Sequence, residues 1–120
     1  MNTENLNTTA AQFGLPLYVY DSEQIESQYN RLIQAFAKVP RFKVHYAVKA
    51  LSNISILNYL KSLGYGLDTV SLQEVLLGLH AGFDPRDIIY TPNGVSMEEI
   101  ETVANFGVQI NIDNLSILEQ

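Results

Sequence analysis

The chain has 120 residues, of which 47% are hydrophobic and 17% are charged, a composition typical of one small globular domain. Its formal net charge of -6 argues against a nucleic-acid-binding surface, and the absence of cysteine excludes disulfides, thiolate metal ligands and a thiol nucleophile. No apolar run reaches the roughly 18 residues of a membrane span, and the first residues lack the basic-then-apolar order of a signal peptide, so we expect a cytoplasmic protein.

The amino-terminal part is predicted to contain an arm, a strand and a helix. Residues 1–14 are polar, and we expect a loose terminal arm. Residues 15–20 have the sequence Leu-Pro-Leu-Tyr-Val-Tyr and predict a short strand, which Pro16 confines to a sheet edge or a strand start. Asp21 has the position of a helix N-cap, and apolar residues at helical spacing predict an amphipathic helix over 22–38. This strand and helix lead into the next part of the chain.

The run that follows is rich in β-branched and aromatic residues and predicts a strand over 42–49. Alternation places the amine of Lys49 on the same face as Ala47, whose small side chain leaves a space beside it. An amine held beside a cavity can condense with an aldehyde cofactor or a carbonyl substrate, whereas the alternative is a lysine that simply extends into water. The apolar face carries Val44, Tyr46 and Val48, and the other face carries His45, Ala47 and Lys49.

From residue 42 onward, strand and helix patterns alternate in units of roughly 20 to 25 residues, as in parallel sheets with crossover helices. The pattern fits the first half of an eight-stranded (β/α) barrel or a small flavodoxin-like open sheet. The chain ends within an apolar-periodic run, so we expect a truncated chain. Strands are predicted at 42–49, 65–70, 88–91 and 108–113, and helix N-caps at Ser52 or Asn53, at Ser71 and at Ser96, with a last helix from Leu115. Ser71 with Glu74, and Ser96 with Glu99, have the spacing of capping boxes, in which the glutamate closes the cap of its own helix.

Side chains that carry chemistry are expected at the carboxyl ends of these strands. Asp68 follows Gly66 on the second strand as Lys49 follows Ala47 on the first, so Lys49 and Asp68 are predicted to share one cavity. The carboxylate would there stabilise a positively charged amine nitrogen, and the alternative for Asp68 is an Asx turn before the helix. Further polar residues at these ends are Ser71, Thr91, Asn93, Asn111 and Asp113.

The predicted fourth strand has a polar face made of Gln109, Asn111 and Asp113, which indicates a wet or ligand-lined interior, because barrel interiors are usually apolar. Neither His45 nor His80 is accompanied in the sequence by further residues at metal-ligand spacing, so we predict no metal site.

Two motifs carry a resemblance to a known family. They are Tyr46-Ala47-Val48-Lys49-Ala50 and Gly66-Leu67-Asp68-Thr69-Val70-Ser71-Leu72-Gln73-Glu74. Together they resemble the amino-terminal half-barrel of the fold-type III pyridoxal-phosphate decarboxylases, over nearly the whole chain. The resemblance implies the first half of a (β/α)8 barrel of the alanine racemase type. It also implies pyridoxal 5'-phosphate bound covalently at Lys49, with Ala47 and Asp68 beside it, and a strand at 17–20 that joins a separate β-domain.

The resemblance further implies decarboxylation of an amino acid, with meso-2,6-diaminopimelate, which yields L-lysine, as the favoured substrate. Ornithine, arginine and carboxynorspermidine decarboxylases share the architecture. A non-enzymatic pyridoxal-phosphate carrier and an open-sheet binding module without cofactor are alternatives from other classes. Many relatives carry a lysine after the third strand, where this chain has Pro92-Asn93-Gly94, and this departure leaves the role of Asn93 open.

The family's phosphate-binding and distal substrate-binding residues would lie beyond Gln120. We therefore expect this chain alone to be inactive and to bind pyridoxal phosphate weakly or not at all. The resemblance implies a homodimer for the complete enzyme. The unpaired strand edges at 42–49 and 108–113 predict that this chain associates with itself.

Overall fold

The computed structural model describes residues 3–119 and divides the chain into two compact units, residues 1–40 and 41–120. The first unit contains helices α1 (Thr3–Phe13) and α2 (Ser22–Ala35). The predicted loose arm at 1–14 is therefore wrong for its described part, since these residues form a helix. Met1 and Asn2 lie outside the described residues.

The predicted strand at 15–20 is also wrong, because residues 14–20 have no strand assignment in the structure. A strand needs a ladder of backbone hydrogen bonds to a neighbour, and Pro16 cannot donate one. The predicted cap of the next helix is confirmed, since the Asp21 carboxylate accepts hydrogen bonds from the backbone N–H groups of Glu23 and Gln24. Helix α2 ends earlier than predicted because residues 36–39 close into turns.

The second unit is a four-stranded parallel sheet with the strand order β1-β2-β3-β4. Consecutive strands are neighbours, as in a (β/α)8 barrel, whereas a flavodoxin-like sheet has the order 2-1-3-4-5. The strands are β1 (His45–Ala47), β2 (Gly66–Thr69), β3 (Ile88–Tyr90) and β4 (Gln109–Ile110), and the helices are α3 (Ile54–Leu63), α4 (Leu72–His80), α5 (Met97–Ala104) and α6 (Leu115–Leu118). None of the helices described has the length and apolar character needed to cross a bilayer.

Local sequence signals set the helix ends of this unit. Asn53, and not Ser52, caps α3, because its side-chain oxygen accepts hydrogen bonds from two backbone N–H groups in the first turn. Gly64 ends α3 with a φ of +95°, a left-handed conformation that favours glycine. Ser71 and Ser96 cap α4 and α5, as predicted from the capping-box spacing.

Strand β1 is shorter than predicted, because it ends at Ala47 and the chain then turns through a 3-10 helix over Val48–Ala50. The alternation that placed Lys49 on the face of Ala47 is therefore wrong for Lys49, since a 3-10 turn advances about one third of a circle per residue. Strand β4 is also shorter than the predicted 108–113, although the Asn111 N–H still donates to the carbonyl oxygen of Tyr90.

The two faces of the sheet differ sharply. Residues paired in register on parallel strands face the same side, so one face follows from the pairs Tyr46–Leu67–Ile88 and Thr69–Tyr90–Ile110. We call this the outer face, because the core that it shares with α3, α4 and α5 contains Leu57, Val75, Ile100 and Val103. The opposite, inner face carries the pairs His45–Gly66 and Ala47–Asp68–Ile89–Gln109.

Candidate functional site

The backbone around Lys49 is fixed at both ends of its turn. Val48 is fully buried in the core, and the Leu51 N–H donates to the Val48 carbonyl at 3.1 Å. The Tyr46 hydroxyl reaches over the turn and donates to the carbonyl oxygen of Leu51 at 3.4 Å. Lys49 itself is exposed. The side chain of Lys49 is therefore exposed to solvent at the carboxyl end of β1. The hydrogen bonds of the turn and the burial of Val48 hold its backbone in place.

Asp68 lies on the inner face in register with Ala47, whereas the sequence pattern predicted Gly66 at the position equivalent to Ala47. Asp68 is half-buried. Among residues 3–119, Lys49 forms no ion pair within 4.0 Å, so the amine and the Asp68 carboxylate are not in direct contact. The shared cavity of Lys49 and Asp68 therefore stays a prediction.

Asp68 is held by a chain of side-chain hydrogen bonds that crosses three strands. The Thr91 hydroxyl donates to Asp68 Oδ1 at 3.1 Å. The Thr91 oxygen in turn accepts a hydrogen bond from Asn111 Nδ2 at 3.3 Å. Thr91 and Asn111 directly follow β3 and β4, so three successive strand ends of the sheet contribute one side chain each.

The side chain of His45 lies against Gly66, its register partner on β2. A Cβ atom added at Gly66 would lie 2.5 Å from His45 Cδ2 and 2.6 Å from the carbonyl oxygen of Asp87. The imidazole ring therefore lies directly across the glycine backbone, and only glycine fits there without a shift of its neighbours. No space for a ligand therefore remains beside Gly66 on the inner face.

The surroundings of His45 lower its pKa, first through burial and then through the positive charge of Lys43. Lys43 forms an ion pair with Asp87, and the carboxylates of Asp87 and Asp68 partly oppose the effect. His45 is therefore a neutral packing residue at neutral pH. Within residues 3–119, no three or more His, Cys, Asp or Glu side chains form a group that could hold a metal ion.

The remaining residues predicted at strand ends do not join Asp68. Ser71 caps α4 through the Glu74 N–H at 3.3 Å, so the cap accounts for it. Asn93 and Asp113 line an open groove together with Leu115. Gln109 is exposed on the inner face, as its predicted polar stripe requires. His80, for which the sequence predicted no metal site, is the exposed final residue of α4.

Glu99 has a role that the sequence analysis missed. The spacing to Ser96 predicted a carboxylate that closes its own helix cap, but only half of that box forms, through the Glu99 N–H to Ser96 Oγ. The carboxylate instead accepts the N–H of Leu72 at 3.0 Å and the hydroxyl of Tyr90 at 2.7 Å. Tyr90 is fully buried, and burial together with this hydrogen bond raises its pKa well above the usual range. Glu99 thus ties α5 to β3 and to the start of α4.

Comparison with known families gives a match over residues 22–120 to the model described as pyridoxal-dependent decarboxylase, pyridoxal binding domain. This stretch includes Lys49, Asp68 and the whole parallel sheet. Pyridoxal phosphate is thus the cofactor with which the matched domain is associated.

Similar proteins and structures agree with this match. The chain is 43% identical over 110 residues to diaminopimelate decarboxylase of Methanothermobacter thermautotrophicus, and 37% identical over 116 residues to that of Pseudomonas aeruginosa. These alignments cover 91% and 96% of this chain but only 26% and 28% of the relatives. The structure superposes on diaminopimelate decarboxylase of M. jannaschii in complex with L-lysine with a TM-score of 0.87, at 35% identity, over 93% of this chain and 27% of the other. The chain therefore spans about a quarter of the length of these relatives.

Proposed function

The chain belongs to the pyridoxal-dependent decarboxylases, as part of their pyridoxal-binding barrel, and we propose that it supplies the cofactor lysine of a diaminopimelate decarboxylase. The reaction proposed for the complete enzyme removes carbon dioxide from meso-2,6-diaminopimelate and yields L-lysine. The observation that carries the proposal is the exposed side chain of Lys49 at the carboxyl end of β1, two residues after Ala47, which is in register with Asp68.

The residues around this amine fit a pyridoxal group. A cofactor that is held through an aldehyde needs a primary amine that no other group occupies, and Lys49 has no ion-pair or hydrogen-bond partner among the described residues. It also needs space, which the small side chain of Ala47 leaves on the inner face. By contrast, Lys43 is paired with Asp87, and Lys61 donates to the carbonyl oxygen of Ala81.

In this proposal each residue has one task. Lys49 holds the cofactor through its side-chain nitrogen, Ala47 keeps the adjacent volume free, and Asp68 stabilises positive charge at that nitrogen from the neighbouring strand. When bound, pyridoxal phosphate supplies the electron sink for the electron pair that remains after carbon dioxide leaves. The buried outer face holds β1 and β2 side by side, so that these tasks meet at one sheet edge.

The proposed substrate follows from the relatives. The two proteins reported above, at 43% and 37% identity, are named diaminopimelate decarboxylase, and the M. jannaschii structure contains L-lysine, the product proposed here. A lysine/ornithine decarboxylase of Vibrio vulnificus has a TM-score of 0.85 at 28% identity, so the barrel alone does not select the substrate. Substrate choice must therefore be measured.

The first experiment tests the cofactor lysine in this chain. The protein is incubated with pyridoxal phosphate, reduced with borohydride and digested, and the labelled fraction of each lysine is measured by mass spectrometry. We expect Lys49 to be labelled well above Lys38, Lys43 and Lys61, which serve as internal controls. Equal labelling of Lys49 and Lys38 would contradict the proposed role of Lys49.

The second experiment tests the activity. Residues 22–120 replace the corresponding residues of the Methanothermobacter thermautotrophicus relative, and carbon dioxide release is measured with diaminopimelate and with ornithine. We expect release from diaminopimelate that is abolished by Lys49→Ala, and no turnover by the 120-residue chain alone. Preference for ornithine would reject the proposed substrate but keep the family chemistry.

We also propose that the chain associates through its sheet edges. The edges of β1 and β4 carry no further strand within residues 3–119, and unpaired edges favour pairing with another chain. Light scattering at increasing concentration should show oligomers, and a monodisperse monomer would contradict the idea. A homodimer of the complete enzyme and a cytoplasmic location are parts of the same proposal.

A further inference from the structure

We propose that Thr91 and Asn111 are positioning residues that act through Asp68, fixing the orientation of its carboxylate on the inner face. The inference rests on the proposed function, because it assigns to these two residues the task of aiming Asp68 at the Lys49 nitrogen. The sequence placed Thr91 and Asn111 only as polar residues at strand ends. Their hydrogen bonds to one another and to Asp68 give them a common role.

The direction of the hydrogen bonds follows from the charge at one end of the chain. An ionised carboxylate can only accept, so the Thr91 hydroxyl must donate its single proton to Asp68 Oδ1 at 3.1 Å. The Thr91 oxygen then has only lone pairs left for its other neighbour. Asn111 must therefore turn its amide nitrogen, and not its oxygen, toward Thr91, and this is the arrangement observed at 3.3 Å.

This arrangement leaves one carboxylate oxygen free for a ligand. Among the described residues, Oδ1 of Asp68 has a hydrogen-bond donor and Oδ2 has none. Asp68 lies in register between Ala47 and Ile89, so the carboxylate has a small neighbour on the β1 side only. A carboxylate anchored at one oxygen keeps its other oxygen in a fixed place, whereas an unanchored carboxylate on a half-exposed strand end rotates among several rotamers.

The residues beside Asp68 explain why the anchor comes from Thr91. On the β1 side the register neighbour is Ala47, which has no donor, and on the β3 side it is Ile89. Past Ile89 on the same face, the hydroxyl of Thr91 is the first polar group, directly after the end of β3. Asn111 occupies the equivalent position directly after the end of β4. Because β2, β3 and β4 are parallel and end at the same level of the sheet, each of these side chains comes within hydrogen-bond distance of the next.

The test uses the borohydride labelling of Lys49 in this chain. Thr91→Val keeps the shape of the side chain but removes the donor, and Asn111→Asp puts a second carboxylate in competition for the single hydroxyl proton. We expect both variants to label Lys49 about fivefold more slowly than the wild type, which corresponds to the net contribution of one typical hydrogen bond. Thr91→Ser keeps the hydroxyl and should restore most of the rate.

A matched control removes a hydroxyl elsewhere. Thr102 donates to the Glu98 carbonyl on α5, so Thr102→Val removes the same atoms without touching Asp68. We expect unchanged labelling of Lys49 in this variant. In all variants the labelling of Lys38 should stay constant, which excludes a general change in reactivity.

A double-mutant cycle separates positioning from a general structural effect. In an Asp68→Asn background, Thr91→Val should change the Lys49 labelling rate less than about twofold, because the residue through which it acts is already altered. A full fivefold loss in that background would overturn the inference.

Failure of the proposed function has a different outcome. If wild-type labelling does not favour Lys49, the proposed function fails, and the positioning role is then judged from crystal structures of the wild type and the Thr91→Val variant. An Asp68 side chain that keeps the same rotamer in both would overturn the inference, and a changed rotamer confined to the variant would support the anchor alone.

Discussion

The two faces of the sheet use the same strands for different purposes. On the outer face Leu67, Ile88 and Tyr90 are fully buried against the helices. On the inner face Asp68 is half-buried, and Thr91 and Asn111, which follow β3 and β4, are exposed. Side chains on the two faces alternate along β2 and β3, so residues one position apart belong to different environments. The outer face of the strands therefore stabilises the fold, and the inner face of the same strands carries the residues of the candidate site.

The comparison shows how polar groups are accommodated on each face. Two polar groups are buried on the outer face of the described sheet, and each has a hydrogen-bond partner. The Tyr90 hydroxyl donates to the Glu99 carboxylate, and the Thr69 hydroxyl donates to the carbonyl oxygen of Ile89. Within residues 3–119, no buried side-chain nitrogen or oxygen lacks a hydrogen-bond partner. The inner face instead links its polar groups in a chain and leaves one carboxylate oxygen free. A buried polar atom needs a hydrogen-bond partner within the protein, whereas a ligand-binding site needs polar atoms that have no partner within the protein.

The largest expected difference between the faces comes from two adjacent isoleucines. Ile88 is fully buried on the outer face, and Ile89 is half-buried on the inner face. Ile88→Ala should lower the free energy of unfolding by about 3 kcal/mol and Ile89→Ala by about 1 kcal/mol, because only the first leaves a closed cavity. Urea unfolding of both variants provides the measurement, and equal losses would contradict the assignment of the faces.

The second prediction compares two glycines. Gly66→Ala should lower the free energy of unfolding by about 2 kcal/mol, because the new methyl group meets the His45 ring and the backbone oxygen of Asp87. Gly78→Ala in α4 should lower it by only about 1 kcal/mol, because the methyl group meets the side-chain ends of Leu67 and Ile88 and no backbone atom, and because alanine favours helix. Adding His45→Ala should rescue the first variant only in part, since Asp87 stays. Thermal unfolding of the three variants distinguishes these outcomes.

The third prediction concerns the polar contact within the outer face. Tyr90→Phe should lower the free energy of unfolding by about 1 kcal/mol, the loss of one hydrogen bond to Glu99. The raised pKa of Tyr90 also makes the wild type sensitive to alkali. Above pH 10.0, the ordinary value, the unfolded chain loses the phenolic proton while the folded chain keeps it, so stability falls as the pH rises. The variant should lack this contribution to the fall, and an identical pH profile would contradict the buried contact.

The smallest effect is expected from His45 on the inner face. Its lowered pKa means that, as the pH falls below 6.5, the unfolded chain binds a proton that the folded chain resists. Stability from this group is therefore complete above pH 6.5 and is lost progressively below it. His45→Gln should flatten this part of the profile measured by urea unfolding between pH 5 and pH 7. An unchanged slope would show that His45 titrates alike in both states.

Sequence patterns predicted most of the second unit because its signals are local. Capping residues such as Ser71 and Ser96 bond to their own helix, and Gly64 needs a left-handed conformation that few other residues adopt. The same approach was wrong at 15–20, because β-branched and aromatic composition describes a strand only when a neighbouring strand supplies the ladder. It was also wrong for the length of β1, where the chain turns after Ala47 although the composition continues.

The candidate site was only partly predictable. Lys49 and Asp68 stood out because each follows a small residue on its strand, but the register places Asp68 beside Ala47 and Gly66 beside His45, so the two strands are not aligned as this reasoning assumed. Thr91 and Asn111 were noticed without a role, because a hydrogen bond between residues 20 or more positions apart leaves no local signal. The carboxylate of Glu99 was assigned to its own helix for the same reason, although it binds Leu72 and Tyr90.

The amino-acid sequence by itself determined where the helices of the second unit begin, which faces of the strands are apolar, and which lysine and carboxylate are candidates for the site, because these properties depend on neighbours a few residues away. Tertiary structure alone decided that consecutive strands pair in the order of a barrel, that the ring of His45 fills the space at Gly66, and that three strand ends share one hydrogen-bond chain. These features arise from contacts between distant segments, which form only when the strands come into register and the helices bury the outer face.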